Sequence, residues 1–225
     1  MPYDHAIYCQ QIGLKTLGFD PGPADGLDGR KTRAALSKSE QARFAASGNK
    51  VPAGKLKGMP PRPEPNYQSK VRVFGSPGRE SALKRVTLPW KMKIAWSGGY
   101  RTTLRMHKLV ADLMIMALTE ILEKHGMEFV RKYGLDLFGG DYVNRNARGS
   151  SRSKSDHAWG IALDLNPVAN GNHHTWKSGE KASNGTYEMP RAAIKIFQKY
   201  GFQVGFKKSN GTRRDMMHIA YVNRF

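Results

Sequence analysis

Residues 48–70, GNKVPAGKLKGMPPRPEPNYQSK, carry apolar residues at neither helical nor strand spacing. Prolines remove backbone donors and lysines resist burial, so the stretch reads as a semi-extended connector. The chain is thereby divided into a small unit over residues 1–50, a basic Pro-rich linker over 51–70 and a larger domain over 71–225. With 225 residues, 39% of them hydrophobic and 10% aromatic, there is material for a packed core in the larger part.

The first unit reads as helical. DHAIYCQQIGLKTLGF opens on Asp4 as an N-cap, places Ile7, Leu14 and Leu17 on one face and stops at Gly18. DPGPADGLDG is a tight turn system without room for regular structure. KTRAALSKSEQARFAAS then resumes a helix, with Thr32 as its cap and Ala35, Leu36 and Phe44 inward.

Both periods occur in the larger domain, which predicts an α+β fold. RVTLPWKMKIAW (Arg85–Trp96) reads as strand interrupted by Pro89. Thr103–Lys124 reads as a long helix, with Met106, Leu109, Val110, Leu113, Ala117 and Ile121 in one stripe and Gly126 as its stop. MPRAAIKIFQKYGF gives a further helix with Pro190 in its first turn, Ile194 and Phe197 inward and Gly201 at its end.

Charge narrows the partners. There are 37 Lys and Arg against 18 Asp and Glu, a formal net charge of +19. That excess favours polyanions: nucleic acid, anionic headgroups or the bacterial envelope. It is spread over the middle and the C-terminal part, and no zinc-finger, homeodomain or basic-zipper signature accompanies it, so no specific nucleic acid is expected. Cys9 is the only cysteine, which excludes an intramolecular disulfide and a Cys-rich metal knuckle. LMIMAL (Leu113–Leu118) is far too short to span a bilayer, so no membrane insertion is expected. The opening MPYDHAIYCQQ lacks the basic start and apolar core of a secretory leader, which implies a protein made in the cytoplasm.

Chemistry concentrates in SRSKSDHAWGIALDLNPVANGNHH (Ser151–His174). GIALDL alternates as a strand, Ile161, Leu163 and Leu165 on one face and Ala162 and Asp164 on the other. A bend permitted by Gly160 brings His157 back over the Asp164 face. Near the C-terminus MHIAYV repeats the pattern, with His218 on the face opposite Met217, Ile219 and Tyr221. Two histidines and an aspartate facing one space match a three-ligand zinc site with an open fourth position. Asp215, three residues before His218, is placed to take a proton from a water activated there. A Ser155–His157–Asp164 triad is disfavoured: there is no Gly-x-Ser-x-Gly elbow, and serine and histidine lie too close in sequence. His-Glu-x-x-His is absent too. On residue types alone, a satisfied His–Asp pair on a strand and a zinc site both remain open. His173 and His174 read as solvated loop residues that border the cleft at most, His107 and His125 as structural, and Trp159 as packing beneath the site.

Resemblance separates the two. SDHAWGIALD (Ser155–Asp164) fits Ser-x-His-x-x-Gly-x-Ala-x-Asp, and DMMH (Asp215–His218) fits an acid three before a last ligand. Both resemble the zinc D-Ala-D-Ala carboxypeptidase and L-Ala-D-Glu endopeptidase family, and Phe138–Pro167 looks like its phage endolysin branch. The resemblance implies one Zn2+ per chain held by His157, Asp164 and His218, with Asp215 as catalytic base. It implies Arg145 as the arginine that holds substrate or its oxyanion, Arg148 as the rival for that role, and Ser155 as a hydrogen-bonding partner at the site. Relatives often carry Trp or Pro before the last ligand where this chain has Met217, which alters one pocket wall. LGFDPGPADGLDGRKTRAAL (Leu17–Leu36) resembles the small all-α, three-helix peptidoglycan-binding domain of cell-wall hydrolases. Together these imply a monomeric endolysin that acts on bacterial peptidoglycan after membrane permeabilisation and cuts the L-Ala–D-Glu bond. A D,D-carboxypeptidase is the runner-up, with a non-catalytic wall-binding or nucleic-acid-binding protein behind it.

Overall fold

A computed structural model describes residues 3–46 and 58–224. In chain order it contains α1 (His5–Thr16), α2 (Arg30–Ala46), α3 (Tyr67–Phe74), β1 (Leu83–Ile94), β2 (Tyr100–His107), α4 (Ala111–Lys132), β3 (Leu137–Gly140), β4 (Ala162–Leu165), α5 (Pro167–Asn170), α6 (Arg191–Lys199), β5 (Gln203–Lys207) and β6 (Arg213–Ala220). Single 3-10 turns occupy Glu80–Ala82 and Asp156–Trp159.

The first unit is organised around a buried amide. The Gln11 side chain donates to Leu27 O and to Thr32 Oγ1 and accepts from the backbone N–H groups of Asp25 and Gly26, which pins the Gly/Pro-rich turn onto α1. Asp4 caps α1 as expected, accepting from Ile7 N at 3.3 Å. Thr32 does not cap α2: it lies inside the helix, buried, and its hydroxyl reaches Pro21 O. Leu14 is buried, whereas Leu17, expected beside it, is exposed. Among the described residues the unit has two helices; the Phe44 side chain and residues 47–57 lie outside them.

From residue 58 onward the Pro-rich stretch is tied to the larger domain. Pro60 O accepts from the Tyr221 hydroxyl and Pro63 O from Asn223 N, both at 2.7 Å. Helix α3, N-capped by Asn66, then runs across residue 70, where the linker was expected to end. A proline segment has carbonyls to give and few donors, which suits it to receive N–H and O–H groups from the chain's end.

Three further expectations are corrected. β1 runs unbroken through Pro89; its register with β2 shifts between Thr87 and Met92, so the proline interrupts no ladder bond. The helix expected from Thr103 begins only at Ala111, because Thr103–His107 is the second half of β2. Met106 is buried from that strand, and Leu109 is exposed in the connection. Gly126 does not stop α4 but kinks it, with φ 73° and ψ 173° inside a helix that continues to Lys132. In α6, Pro190 is the N-cap residue, Ile194 and Phe197 are buried, and Gly201 follows at φ 86°.

The six strands form one sheet in the order β2-β1-β3-β4-β6-β5, in which β1 and β3 are parallel and the other neighbours antiparallel. Leu163 and Leu165 of β4 and Ile219 of β6 share a core with Met114, Leu118 and Ile121 of α4 and Phe197 of α6. Burying Leu163 and Ile219 completely stabilises the sheet–helix layer by roughly 1.5–3 kcal/mol each. With their apolar neighbours committed to that face, Asp164 and His218 must face the other.

Candidate metal centre

Strand register alone sets Asp164 beside His218, since the two are Cα partners across β4 and β6. The third residue is delivered by a turn. Ser155 caps the 3-10 turn Asp156–Trp159, its Oγ accepting from His157 N at 3.4 Å, and Gly160 ends the turn at φ 68°. A β-carbon at Gly160 would fall 2.5 Å from Leu83 Cδ2 and 3.0 Å from His107 N, so both the space and the left-handed backbone require glycine. Trp159 is buried beneath this turn with its indole N–H on Gly75 O, the packing role expected of it.

His157 is oriented from behind. Its Nδ1 lies 2.6 Å from Asp141 O, a bond in which the ring must donate, and in the neutral ring this leaves the lone pair on Nε2. The Asp141 carboxylate accepts in turn from Arg101 and from Arg105 N. His157 Nε2 lies 3.2 Å from Asp164 Oδ2, and His218 Nδ1 lies 2.9 Å from Asp164 Oδ1. One ligand atom from each of the three residues falls within 4.8 Å of the others.

These donors fit zinc on the structure's own terms. All three residues are buried, and His157 Nε2 is a buried nitrogen with no hydrogen-bond partner. An unsatisfied imidazole nitrogen beside a carboxylate and a second imidazole is costly unless a cation completes it. Burial pushes the Asp164 carboxyl up, but the imidazoles of His157 and His218 outweigh it and hold the group well below the usual carboxylate range. For His218 burial disfavours the charged ring, and the bonds to Asp156 and Asp164 overcome it, raising the group to about 9.

Asp215 joins them in a cleft of about 410 Å³. The bend expected at Arg214–Asp215 is present: Asp215 has φ 53°, next to a register shift between β5 and β6 at Gly205. Asp215 is buried, its Oδ1 has no hydrogen-bond partner, and burial raises its carboxyl above the ordinary value. Arg145, Arg148, Ser155 and Met217 line the same cleft. Arg145 donates to Asn146 O at 3.1 Å, and Arg148 is exposed at the rim.

Asn172 also lines the cleft, so the loop carrying His173 and His174 does border it. His173 is exposed. His174 is not a free loop residue: its Nε2 lies 2.6 Å from Glu188 Oε1. Glu188 is buried and accepts from the backbone N–H groups of Lys177, Gly179 and Glu180, which makes it the anchor of that loop. His107 is buried against Phe74, and His125 stacks on Phe129, both structural.

Sequence reasoning missed Asp156. Its Oδ2 lies 3.1 Å from His218 Nε2 and is shared with the Arg224 guanidinium, while Lys70 Nζ sits 2.6 Å from its Oδ1. Phe206, also missed, stacks on the His218 ring at 5.7 Å between centroids. Only the position of Asp156 beside His157 pointed to it; its partners are remote in sequence.

Two imidazoles and a carboxylate converging on an open cleft, with an unpartnered acid alongside, make the arrangement of a mononuclear metallohydrolase. Residues 148–221 match the sequence model of a family described as D-alanyl-D-alanine carboxypeptidase. The match covers about a third of the chain and takes in His157, Asp164, Asp215 and His218, with Arg145 just outside it. It supports a metallopeptidase that acts on peptidoglycan. No curated protein and no solved structure gives a significant match.

Proposed function

We propose that this protein is a zinc peptidase of the endolysin kind that hydrolyses the L-Ala–D-Glu bond of peptidoglycan stem peptides. The observation that carries the reading is the convergence of His157, Asp164 and His218 with Asp215 beside them, inside the segment that matches the family model. Zinc held by those three residues would supply Lewis-acid polarisation and would favour ionisation of a water near neutral pH. Asp215 accepts the proton of the attacking water on its free Oδ1 and returns it to the leaving amine. Arg145 holds a substrate carboxylate or the developing oxyanion, and Arg148 offers a second cation at the rim. Ser155 fixes the turn from which His157 projects.

The bond follows from what lysis requires. Trimming terminal D-Ala leaves the wall's mesh intact, whereas cutting next to the first stem residue frees the glycan. Residues 1–50 act as the wall-binding module, and a net charge of +19 suits an anionic envelope without any specific nucleic acid. Among the described residues no helix is long and apolar enough to cross a membrane. The protein acts as a monomer, made in the host cytoplasm and reaching the wall after permeabilisation.

The family description favours a second reading, a carboxypeptidase that removes terminal D-Ala. Mass spectrometry of purified sacculi digested by the zinc-loaded protein separates them. New N-terminal D-Glu, with L-Ala left on the glycan and all release stopped by a chelator, is the expected result. Free D-Ala as the sole product would establish the carboxypeptidase; release that survives chelation would remove the zinc reading altogether.

A further inference from the structure

Asp156 performs none of the steps above, yet its carboxylate is aimed at a zinc ligand. It is 4% exposed, and it meets the His218 ring at Nε2, while Nδ1 of the same ring meets Asp164. The two nitrogens therefore face different carboxylates. An imidazole can ligate a metal only through the nitrogen that bears the lone pair, and the hydrogen bond on the other nitrogen selects which one that is.

We propose that Asp156 is a positioning residue that holds His218 with its proton on Nε2 and so presents Nδ1 to zinc. The inference rests on the zinc reading and adds to it the support behind the ligand. A buried carboxylate facing an imidazole needs its own counter-charges. Lys70 supplies one from α3, at 2.6 Å from Oδ1, and Arg224 supplies the other from the chain's far end, on Oδ2. Arg224 also places its guanidinium 3.9 Å from the Phe206 ring centroid, and Phe206 stacks on His218. The ring is thus held by a charge at its edge and an aromatic on its face.

The arrangement gives the Pro-rich segment a task. Residues 58–66 lead into α3, and their bonds to Tyr221 and Asn223 bring Lys70 and Arg224 to one carboxylate. Support for one ligand thereby joins residues 70, 156 and 224, which line the same cleft as the proposed ligands.

Long-range 15N–1H imidazole spectra of the full zinc-loaded chain test the assignment directly. The expected pattern for His218 is a metal on Nδ1 and a proton on Nε2. Asp156→Asn keeps the shape and removes the charge. By competition with a chelator its zinc affinity should weaken about 10–100-fold, and the visible absorption of the cobalt-substituted form should shift as His218 reorients. Zinc on His218 Nε2 in the unaltered chain would overturn the inference, whether or not the variant folds. An Asp156→Asn chain with unaltered zinc affinity and an unaltered cobalt spectrum would do the same, leaving the ion pairs purely structural. An unaltered chain that takes up no zinc would remove the zinc reading and this inference together.

Discussion

Asp215 joins three properties that the average surface aspartate lacks: a left-handed backbone, burial, and an oxygen without a partner. Aspartate tolerates φ 53° better than most residues, but the conformation still costs free energy, which a purely decorative side chain would not require. The side chain that results sits in the cleft with the two histidines and the aspartate of the metal centre. Asp215→Asn should keep zinc and the fold while lowering kcat by about 10²–10⁴-fold. Metal content and turnover on a soluble stem peptide check this together, and a fully active variant would move the base elsewhere. The pH profile adds an independent reading. Burial raises the Asp215 carboxyl, and a base works only when deprotonated, so the acid limb of kcat/KM should lie above that of an ordinary aspartate. That limb should vanish in the asparagine variant along with most of the rate.

At the scale of elements, the helical layer behind the sheet is pinned by Glu120 of α4. It accepts from Lys199 of α6 at 2.5 Å and from the Tyr200 hydroxyl at 2.7 Å, and pairs with Lys124 at 2.7 Å. Burial opposes its ionisation, but these partners overcome that and draw its carboxyl down to about 2. A carboxyl lowered on folding contributes stability that is full above its unfolded value near 4.3 and is lost as pH falls through about 2. Glu120→Gln should therefore lower stability at neutral pH and flatten its decline between those values, as urea unfolding across that range would record. An unchanged slope would deny the pair any linkage role. This α4–α6 tie was illegible in the sequence, where Lys199 and Tyr200 read only as a helix end. Legible were the strands whose alternation is strict: Leu163 and Ile219 inward dictated Asp164 and His218 outward. The start of α4 was misread because Met106, Leu109, Val110 and Leu113 mimic helical spacing across a strand end and a turn. A stripe of apolar side chains does not reveal that Met106 reaches the core from β2. Gly126 was misread for a related reason, since packing of Met127 and Val130 carries α4 past a residue that would end an isolated helix. Asp156 escaped notice because its meaning lies in Lys70 and Arg224, which only the fold brings to it.

For the whole molecule, binding and cutting are expected to separate along the chain. The bonds that complete the larger domain begin at Pro60, and the metal centre draws on residues from Lys70 to Arg224. No side chain of the cleft comes from residues 1–50, whose own turn is held by Gln11 and Thr32 and whose α2 packs on β1 and α4 away from the cleft residues. Removing 1–50 should therefore leave kcat/KM on soluble stem peptides within about twofold, because no side chain of the cleft is touched. Retention on purified sacculi should fall, since tethering raises the effective concentration of the cutter at an insoluble substrate without altering its active site. Charge contributes separately. Most of the +19 lies outside residues 1–50, so the truncated protein should keep a weaker wall affinity that declines with added salt, as screened surface charge does. Co-sedimentation with sacculi over a salt series distinguishes the two contributions: the module should set the salt-resistant part and the larger domain the salt-sensitive part. Full salt-resistant retention after removal of residues 1–50 would place wall binding in the peptidase domain and leave the first unit without a role in it. Removing residues 1–70 instead is a different operation, because it takes away Lys70 and the acceptors of Tyr221 and Asn223. That truncation should lower zinc retention as well as wall binding, and the contrast between the two deletions locates where tether ends and active-site support begins.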